Sequence, residues 1–325
     1  MSALLCIIIV NYKMEALTSK FVKNELVKVA IPHKTVIVNN AATKESDAAL
    51  CKSLNAKLVN GNNLLPVQGL PPAPSKMKGE ERRGAKDEES WKNHDIFVIS
   101  SSENLGFARG NNLGAEFCRK VFDPYYILFT NNDIKLSENN VVGKLLEKLH
   151  VTPEAGVIGP RVVKADGTEQ SPCCYMSCWD REVVKHWSFF FLSKKKQTRR
   201  FHLDYAENAH EGFHYFVLGC FFIVRAKDFY NCGMFDSSTF LYAEEKILAE
   251  RMKAIGKGIY YDPSVSVIHA HGSTTKKYAK NKILKWQKDS NLYYYRVYRH
   301  TPNRVLFMAK LTNSLVRLKK RLLFC

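Results

Sequence analysis

The amino-acid sequence predicts an α/β fold with a mostly parallel central sheet flanked by helices, followed by a basic amphipathic helical tail. β-Branched apolar runs alternate with segments of helical periodicity, and asparagine-rich segments follow several of the predicted strands. The last fifty residues carry most of the positive charge. The chain has 325 residues, 46% hydrophobic and 25% charged, a globular composition that excludes wholesale disorder and a fibrous protein.

The first part of the chain predicts a β-α-β-α-β arrangement, in which helices cover a parallel sheet. The longest apolar run, residues 4–10, is far shorter than the roughly 20 residues that span a bilayer. We therefore expect a buried first strand and no membrane-spanning segment. The predicted strands are residues 4–10, 34–38 and 56–59, and the predicted helices are residues 15–29 and 47–54.

A segment rich in proline and mixed charge then interrupts the pattern. Four of the eleven prolines lie between residues 66 and 74, which predicts a flexible, exposed insertion at residues 61–93. Regular elements resume after it. We predict strands at 96–99, 125–130, 156–158, 216–224 and 265–269, helices at 104–117, 138–149 and 244–255, and a turn at 260–263.

Positive charge is concentrated at the C-terminal end. The net charge is +18, and residues 276–325 hold fourteen Lys and Arg against one acid, so this tail contributes +13. Trp286 and the tyrosines at 293–295 could stack on nucleic acid, whereas the leucine spacing fits an anionic membrane surface better. The same spacing fits packing of the helix against the domain equally well. The spaced apolar residues are Met308, Leu311, Leu315, Leu318 and Leu322.

The nine cysteines are predicted to be reduced thiols. Their number is odd, and they include no CxxC pair. The cluster of Cys173, Cys174 and Cys178 matches no usual zinc-ligand spacing, so we do not expect a structural zinc site.

Polar side chains follow the predicted strands, where ligands of open parallel sheets bind. Asn11 and Tyr12 follow the first strand, and Asn39 and Asn40 follow the second. Asp133 follows a later strand after two asparagines, and a carboxylate there could hold Mg²⁺ or Mn²⁺ against a diphosphate. Asn-Asn-Asp is also ordinary turn chemistry, so the residues alone leave both interpretations open.

Three further segments could contribute to chemistry. Residues 104–112 supply glycines and asparagines at a helix start, which suits either phosphate binding or simple capping. Glu244 and Glu245 stand at the first turn of a helix, where the dipole favours a carboxylate ready to accept a proton. His269 and His271 alternate along a strand and could complete a metal site begun by Asp133, or be ordinary surface histidines.

The order of these motifs resembles that of family 2 glycosyltransferases of the GT-A (Rossmann-like) fold over about residues 4–275. The closest likeness is to rhamnosyltransferase-like bacterial enzymes that build capsule and O-antigen chains. The motifs are Ile8-Ile9-Val10-Asn11-Tyr12, Val36-Ile37-Val38-Asn39-Asn40-Ala41, the 104–112 segment, Phe129-Thr130-Asn131-Asn132-Asp133-Ile134, the 217–225 segment, Phe235-Asp236 through Glu244-Glu245 to Arg251 and Gly256, and Val267-Ile268-His269.

The resemblance implies roles for individual residues. Glu245 would be the general base, with Glu244 as the fallback. Asp133 would bind Mg²⁺ or Mn²⁺, and His269 would bind the metal or the diphosphate. Asn39 would contact the base or ribose of the donor. The remaining implied donor-binding residues are Asn11, Asn40, Asn104, Gly106, Asn111 and Asn132, and His271 is included among the metal ligands.

The resemblance also implies a domain plan and a reaction. Residues 1–140 would bind a nucleotide sugar, residues 141–275 would carry the acceptor and catalytic half, and residues 276–325 would form the tail. The implied reaction is inverting transfer of a hexose or deoxyhexose to a glycan or lipid-linked acceptor. The expected location is the cytoplasm, peripherally on the inner face of the membrane. Asn131 and Lys246 depart from the acids that are usual in the family.

The alternative class is a non-catalytic basic protein that binds nucleic acid or anionic lipid through the tail. The composition and charge of the tail are compatible with it.

Overall fold

The computed structural model describes residues 5–61, 64, 94–187, 209–270 and 280–323, with the side chains of 280 and 316–323 left aside. Within these residues ten strands form one mixed sheet, and helices cover both of its faces.

The strands are β1 (Leu5–Asn11), β2 (His33–Asn40), β3 (Lys57–Asn60), β4 (Ile96–Ser101), β5 (Tyr126–Thr130), β6 (Ile134–Leu136), β7 (Ala155–Lys164), β8 (Gly212–His214), β9 (Phe221–Arg225) and β10 (Gly258–His269). The path through the sheet is β3-β4-β2-β1-β5-β9-β7-β10-β6, and β8 pairs with β10. The helices are α1 (Glu15–Asn24), α2 (Lys44–Leu54), α3 (Gly106–Val121), α4 (Val141–His150), α5 (Ala226–Asn231), α6 (Glu244–Ala254), α7 (Lys280–Val297) and α8 (Asn303–Leu323). A 3₁₀ turn occupies Leu26–Lys28, and a π-helix occupies Trp179–Val184.

The first half of the sheet is parallel, as the alternating pattern predicts. β3, β4, β2, β1 and β5 run in the same direction, with β1 between β2 and β5. Ile7, Ile8 and Ile9 of β1 are fully buried because helices cover both faces of the strand. The N-terminal apolar run is therefore a core strand, and its carboxyl end lies beside those of its neighbours.

The second half of the sheet is mixed, and here the element boundaries differ most from those predicted. The turn predicted at 260–263 is wrong, because those residues belong to β10. The pairing with β7 is irregular between Asp262 and Ser266, and a proline is tolerated in a strand at such an irregularity. The strand predicted at 216–224 begins only at Phe221, whereas Phe216 makes an isolated bridge to Cys173.

Smaller corrections concern the helices. The helix predicted at 15–29 ends at Asn24 and is followed by the 3₁₀ turn. The helix that opens in the 104–112 segment continues to Val121, beyond the predicted end at Phe117. The insertion predicted at 61–93 lies almost wholly outside the described residues. The cysteines at 6, 51, 118, 173, 174, 178, 220 and 232 are free thiols, as expected.

The tail packs against the domain through both of its helices. Tyr294 and Tyr295 of α7 are each 1% exposed, and Leu306 and Ala309 of α8 are buried with them. The nucleic-acid hypothesis placed residues 293–295 in base stacking, and this is wrong for the two buried tyrosines. None of the helices in the described ranges is long and apolar enough to cross a membrane.

Candidate active site

The carboxyl ends of β1, β2, β4 and β5 bring buried amide and hydroxyl groups together. Asn11 donates to Asn39 Oδ1 at 2.8 Å, and Thr18 donates to Asn11 Oδ1 at 2.7 Å. Asn132 donates to Thr18 at 2.8 Å, while Asn39 donates to Asp47 Oδ1 at 2.8 Å. Ser100 of β4 donates to Asp47 Oδ2 at 2.6 Å, so the network joins the ends of four strands.

Asn39, which the resemblance assigned to donor binding, lies within this network. Its side chain is 1% exposed, and its two amide hydrogens are given to Ser46 and Asp47. Asn11 is fully buried as well. Both side chains give their amide hydrogens to neighbouring side chains of the network. Asp47 and Thr18, central to the network, were missed because helix residues give no sequence signal of such a role.

The donor-side residues at the start of α3 hold one another in place. Asn104 Oδ1 accepts a hydrogen bond from Gly106 N at 3.1 Å, and Asn40 donates to Gly106 O at 3.1 Å. Gly106 has φ +72°, and a Cβ there would lie 2.2 Å from Phe240 O, so glycine is required. Asn111 is 2% exposed and donates to Phe107 O within its own helix. Asn104 is the half-buried member of this group and the best placed to meet a ligand.

Asp133 and His269 meet because β6 pairs antiparallel with the end of β10. Ala270 N donates to Asp133 O at 3.0 Å, and His269 Nε2 lies 3.4 Å from Asp133 Oδ1. On the other side of the ring, His269 Nδ1 lies 3.2 Å from Gln170 Oε1. An amide oxygen only accepts, so Nδ1 donates to Gln170 in this arrangement, and Nε2 is the ring nitrogen on the Asp133 side. Gln170 thus orients the imidazole, a role that sequence reasoning missed.

The pair suits a divalent cation that is held mainly by its substrate. A carboxylate and a neutral imidazole whose second nitrogen is hydrogen-bonded are common metal ligands. Among the described residues no group of three or more His, Cys, Asp or Glu is arranged to hold a metal. A cation held by Asp133 and His269 would keep further positions for diphosphate oxygens and water, as Mg²⁺ and Mn²⁺ sites on phosphates do. His271, the other predicted ligand, lies outside the described residues.

Glu245 and Asp133 both lie near residues 219–220. Gly219 N donates to Glu245 Oε1 at 3.0 Å, and Asn131 N donates to Cys220 O at 2.8 Å. Burial raises the pKa of the Cys220 thiol well above its usual value, and the charges of Asp133 and Glu245 raise it further. Gly219 belongs to the 217–225 segment of the resemblance, and its backbone N–H, which holds Glu245, was not among the predicted site groups.

Glu244 occupies a different environment from its neighbour. Its side chain is 3% exposed, and its Oε1 has no hydrogen-bond partner in the described structure. Burial raises the pKa of Glu244 well above its usual value, and the charge of Glu245 adds to this. The dipole expected to favour the anion is thus outweighed by desolvation. Glu245, half-buried and hydrogen-bonded, is the member of the pair that can meet a substrate.

The loop that leads into α6 is held between α3 and the tail helix α7. Tyr242 and Ala243 have φ of 76° and 70°, a conformation that non-glycine residues rarely adopt. On one side, Phe107 N donates to Phe240 O at 3.0 Å. On the other, Ser290 of α7 donates to Leu241 O at 2.9 Å, and the ring of Trp286 lies 4.5 Å from that of Phe240.

Asp236 fastens the start of this loop to the tail. Tyr293 and Tyr298 donate to its Oδ2 at 2.8 and 2.6 Å, and Arg251 lies 3.4 Å away. Burial alone would raise the pKa of Asp236, but hydrogen bonds from Tyr298, the backbone of Ser238 and Tyr293 lower it below its usual value. The boundary predicted at 275/276 marks a change in charge along the sequence. Packing contacts continue across it, because α7 shapes the loop before Glu244 and Glu245.

Comparison with known proteins agrees with this geometry. Residues 81–223 match the family model described as glycosyl transferase family 2, and no curated protein matches the chain. The mannosyltransferase PcManGT from Pyrobaculum calidifontis, in complex with GDP-Man and Mn²⁺, is a similar solved structure. It has a TM-score of 0.53 and 11% identity, over 96% of this chain and 73% of that one.

A second solved structure is GalNAc-T7 with UDP, GalNAc and Mn²⁺. It has a TM-score of 0.48 and 12% identity, over 82% of this chain and 44% of that one. At 11% identity the mannosyltransferase shows the fold, and the family-model match applies to residues 81–223. The chain has the GT-A fold, and its residues 81–223 are similar to glycosyl transferase family 2.

Proposed function

We propose that the protein transfers a sugar from a nucleoside-diphosphate donor to a hydroxyl of a glycan or lipid-linked acceptor, with inversion at the anomeric carbon. The observation that carries the proposal is the half-buried Glu245 carboxylate, held by Gly219 N at 3.0 Å beside Cys220, whose thiol also feels the charge of Asp133. One group can accept a proton while the other lies where a donor diphosphate would be held. The family match and the nucleotide-sugar complex of the mannosyltransferase support the same reaction class.

In the proposed reaction Glu245 accepts the proton of the acceptor hydroxyl as its oxygen bonds to the anomeric carbon. The bond from that carbon to the diphosphate oxygen breaks, and the nucleoside diphosphate leaves with the electron pair. A single displacement inverts the configuration. Asp133 and His269 would hold Mg²⁺ or Mn²⁺, which would offset the charge of the diphosphate. Asn104 and the backbone at Gly106 would line the donor pocket.

The biological setting is part of the proposal. A hexose or deoxyhexose donor and a role in cell-surface polysaccharide synthesis follow from the resemblance to rhamnosyltransferase-like enzymes. Location at the inner face of the membrane would bring the enzyme to a lipid-linked acceptor. The basic tail, with a net charge of +13 over residues 276–325, supports this location.

The test compares variants of the two carboxylates and of Gly219. Glu245→Gln keeps size and hydrogen bonding but cannot take a proton, so turnover should fall by about 10²- to 10⁴-fold with donor binding nearly unchanged. Gly219→Ala would place a Cβ 2.4 Å from Glu245 Oε1, and this flexible carboxylate would move. It should lower turnover at nearly wild-type thermal stability.

Two controls separate the base from the neighbouring groups. Glu244→Gln should reduce turnover less than Glu245→Gln, because the side chain of Glu244 is buried away from solvent. Asp133→Ala should weaken donor binding in the presence of Mn²⁺, measured as protection of the protein against thermal unfolding by nucleotide sugars. Normal turnover by Glu245→Gln together with an inactive Glu244→Gln would assign the base to Glu244 instead.

A further inference from the structure

Helix α8 has an inner face that fastens it to the domain. Leu306, Ala309 and Thr312 are 7%, 0% and 2% exposed. Trp187 Nε1 donates to Thr312 Oγ1 at 3.2 Å, and Asn313 donates to Glu182 Oε2 at 3.1 Å. Glu182 lies in the π-helix, and Trp187 lies in the helical residues that follow it. The inner face of α8 is therefore covered by other residues of this chain.

The opposite face of α8 is apolar and exposed. Phe307, Leu311 and Leu315 are 65%, 43% and 41% exposed. Their spacing of four residues places them in one stripe, roughly opposite Ala309 on a helix of about 100° per residue. Leu318 and Leu322 continue the spacing in the sequence. The leucines that suggested membrane binding and the residues that pack on the domain are thus two different sets.

The basic residues beside the apolar stripe of α8 indicate which kind of partner this face would bind. Arg304 and Lys310 are exposed on the same three turns, within a tail of fourteen basic residues and one acid. An anionic lipid surface offers both apolar contact and negative charge, whereas nucleic acid offers no comparable apolar surface. A second copy of this chain would bring a like charge of +18.

Two exposed tryptophans lie next to α8 and fit the same partner. Trp179 is 45% exposed in the π-helix that packs on α8, and Trp187, bonded to Thr312, is 39% exposed. Tryptophan is enriched where a protein meets the headgroup region, because its ring is apolar and its N–H is polar.

We propose that the outer face of α8, formed by Phe307, Leu311 and Leu315 with Arg304 and Lys310, docks on an anionic bilayer while the inner face stays packed on the domain. Because α8 is fastened through residues 182, 187, 312 and 313, docking fixes the orientation of the whole domain on the membrane. Delivery of a lipid-linked acceptor to Glu245 rests on the proposed function, whereas the docking itself does not.

The test is flotation of the full chain with vesicles of phosphatidylcholine containing one-third phosphatidylglycerol, without donor or acceptor. Replacing Phe307, Leu311 and Leu315 together by serine should weaken vesicle binding on the order of tenfold or more. Arg304→Gln and Lys310→Gln should each weaken it about fivefold, as for a charge near an anionic surface. Vesicles of phosphatidylcholine alone should bind the wild type much less.

The matched control replaces three equally exposed apolar residues elsewhere by serine. Val27, Leu58 and Val151 are 72%, 49% and 72% exposed, and their replacement should leave vesicle binding unchanged. Equal binding by the outer-face variant, or an equal loss in the control, overturns the proposal. Binding of RNA but not of vesicles by the wild type also overturns it. So does a wild-type dimer that becomes monomeric in the outer-face variant, because the outer face would then be a dimer interface. Unchanged thermal unfolding shows that the variants are folded, and transfer to a soluble acceptor is measured separately.

Discussion

The two tail helices have the same basic character, yet they meet their surroundings in opposite ways. α7 places Tyr294 and Tyr295 in the core, and its Ser290 and Tyr293 bond the loop before α6. α8 packs with small and mid-sized side chains and leaves its largest apolar residue, Phe307, outside. Net charge therefore indicates that a segment favours an anionic partner. It does not indicate which face of each helix is free to meet that partner.

The chemistry of tyrosine explains why α7 is the integrated helix. Its ring buries apolar surface while its hydroxyl reaches a polar partner. Tyr295 donates to Met176 O at 2.8 Å, and Tyr294 bonds Tyr215, which donates to Glu250. Arg299 completes this cluster with an ion pair to Glu250 at 2.7 Å. The aromatic residues that suggested a nucleic-acid surface are the ones that attach the tail to the domain.

The largest expected effect is on folding stability, and it distinguishes a buried aromatic residue of α7 from an exposed one of α8. Tyr295→Ala should cost about 3–5 kcal/mol of unfolding free energy, the range for removing a large buried aromatic side chain. Phe307→Ala in α8 should change it by no more than about 0.5 kcal/mol, since that ring is mostly exposed. Urea unfolding measures both, and equal losses would remove the distinction between the helices.

A smaller loss of folding stability should come from breaking the link between α7 and the start of the loop that leads into α6. Asp236→Asn weakens hydrogen bonds to a charged group, so we expect a loss of about 1.5–3 kcal/mol at pH 7. Because the pKa of Asp236 is lowered by folding, its contribution is present above its ordinary pKa of 3.8 and is lost as the pH falls through the lower folded value.

The measurement is the difference in unfolding free energy between wild type and Asp236→Asn from pH 7 to pH 3. The difference should be constant down to about pH 4 and shrink below it. A difference that grows towards acid pH would show that the carboxylate is not held as an anion by Tyr293 and Tyr298.

The smallest effect should be on turnover, through the positioning of the loop by α7. Ser290→Ala removes the hydrogen bond to Leu241 O, worth about 1 kcal/mol, and should lower turnover by up to about fivefold with little change in donor affinity. Ser290→Thr, which keeps the hydroxyl, should restore it. Ser314 of α8 donates to Lys310 O within its own helix, so Ser314→Ala is the matched control with normal turnover.

The sequence by itself determined the parallel half of the sheet and the residues at its carboxyl edge. Runs such as residues 5–11 are strands because their β-branched side chains can be buried on both faces, a property that depends only on local composition. The same reasoning placed Glu245 in the first turn of a helix, as observed, and Asp133 at the end of a strand, whereas it lies in the turn between β5 and β6.

Only the tertiary structure decided what those residues face. Asn39 is turned into a buried network by Asp47, and Glu244 differs from Glu245 because one is desolvated and the other reaches Gly219 N. The apolar stripe on α8 has the same helical spacing whether it packs on the domain or is exposed to solvent. Its spacing in the sequence therefore could not distinguish the two. Burial and hydrogen-bond partners are set by chain segments far apart in sequence, and only the folded chain brings them together.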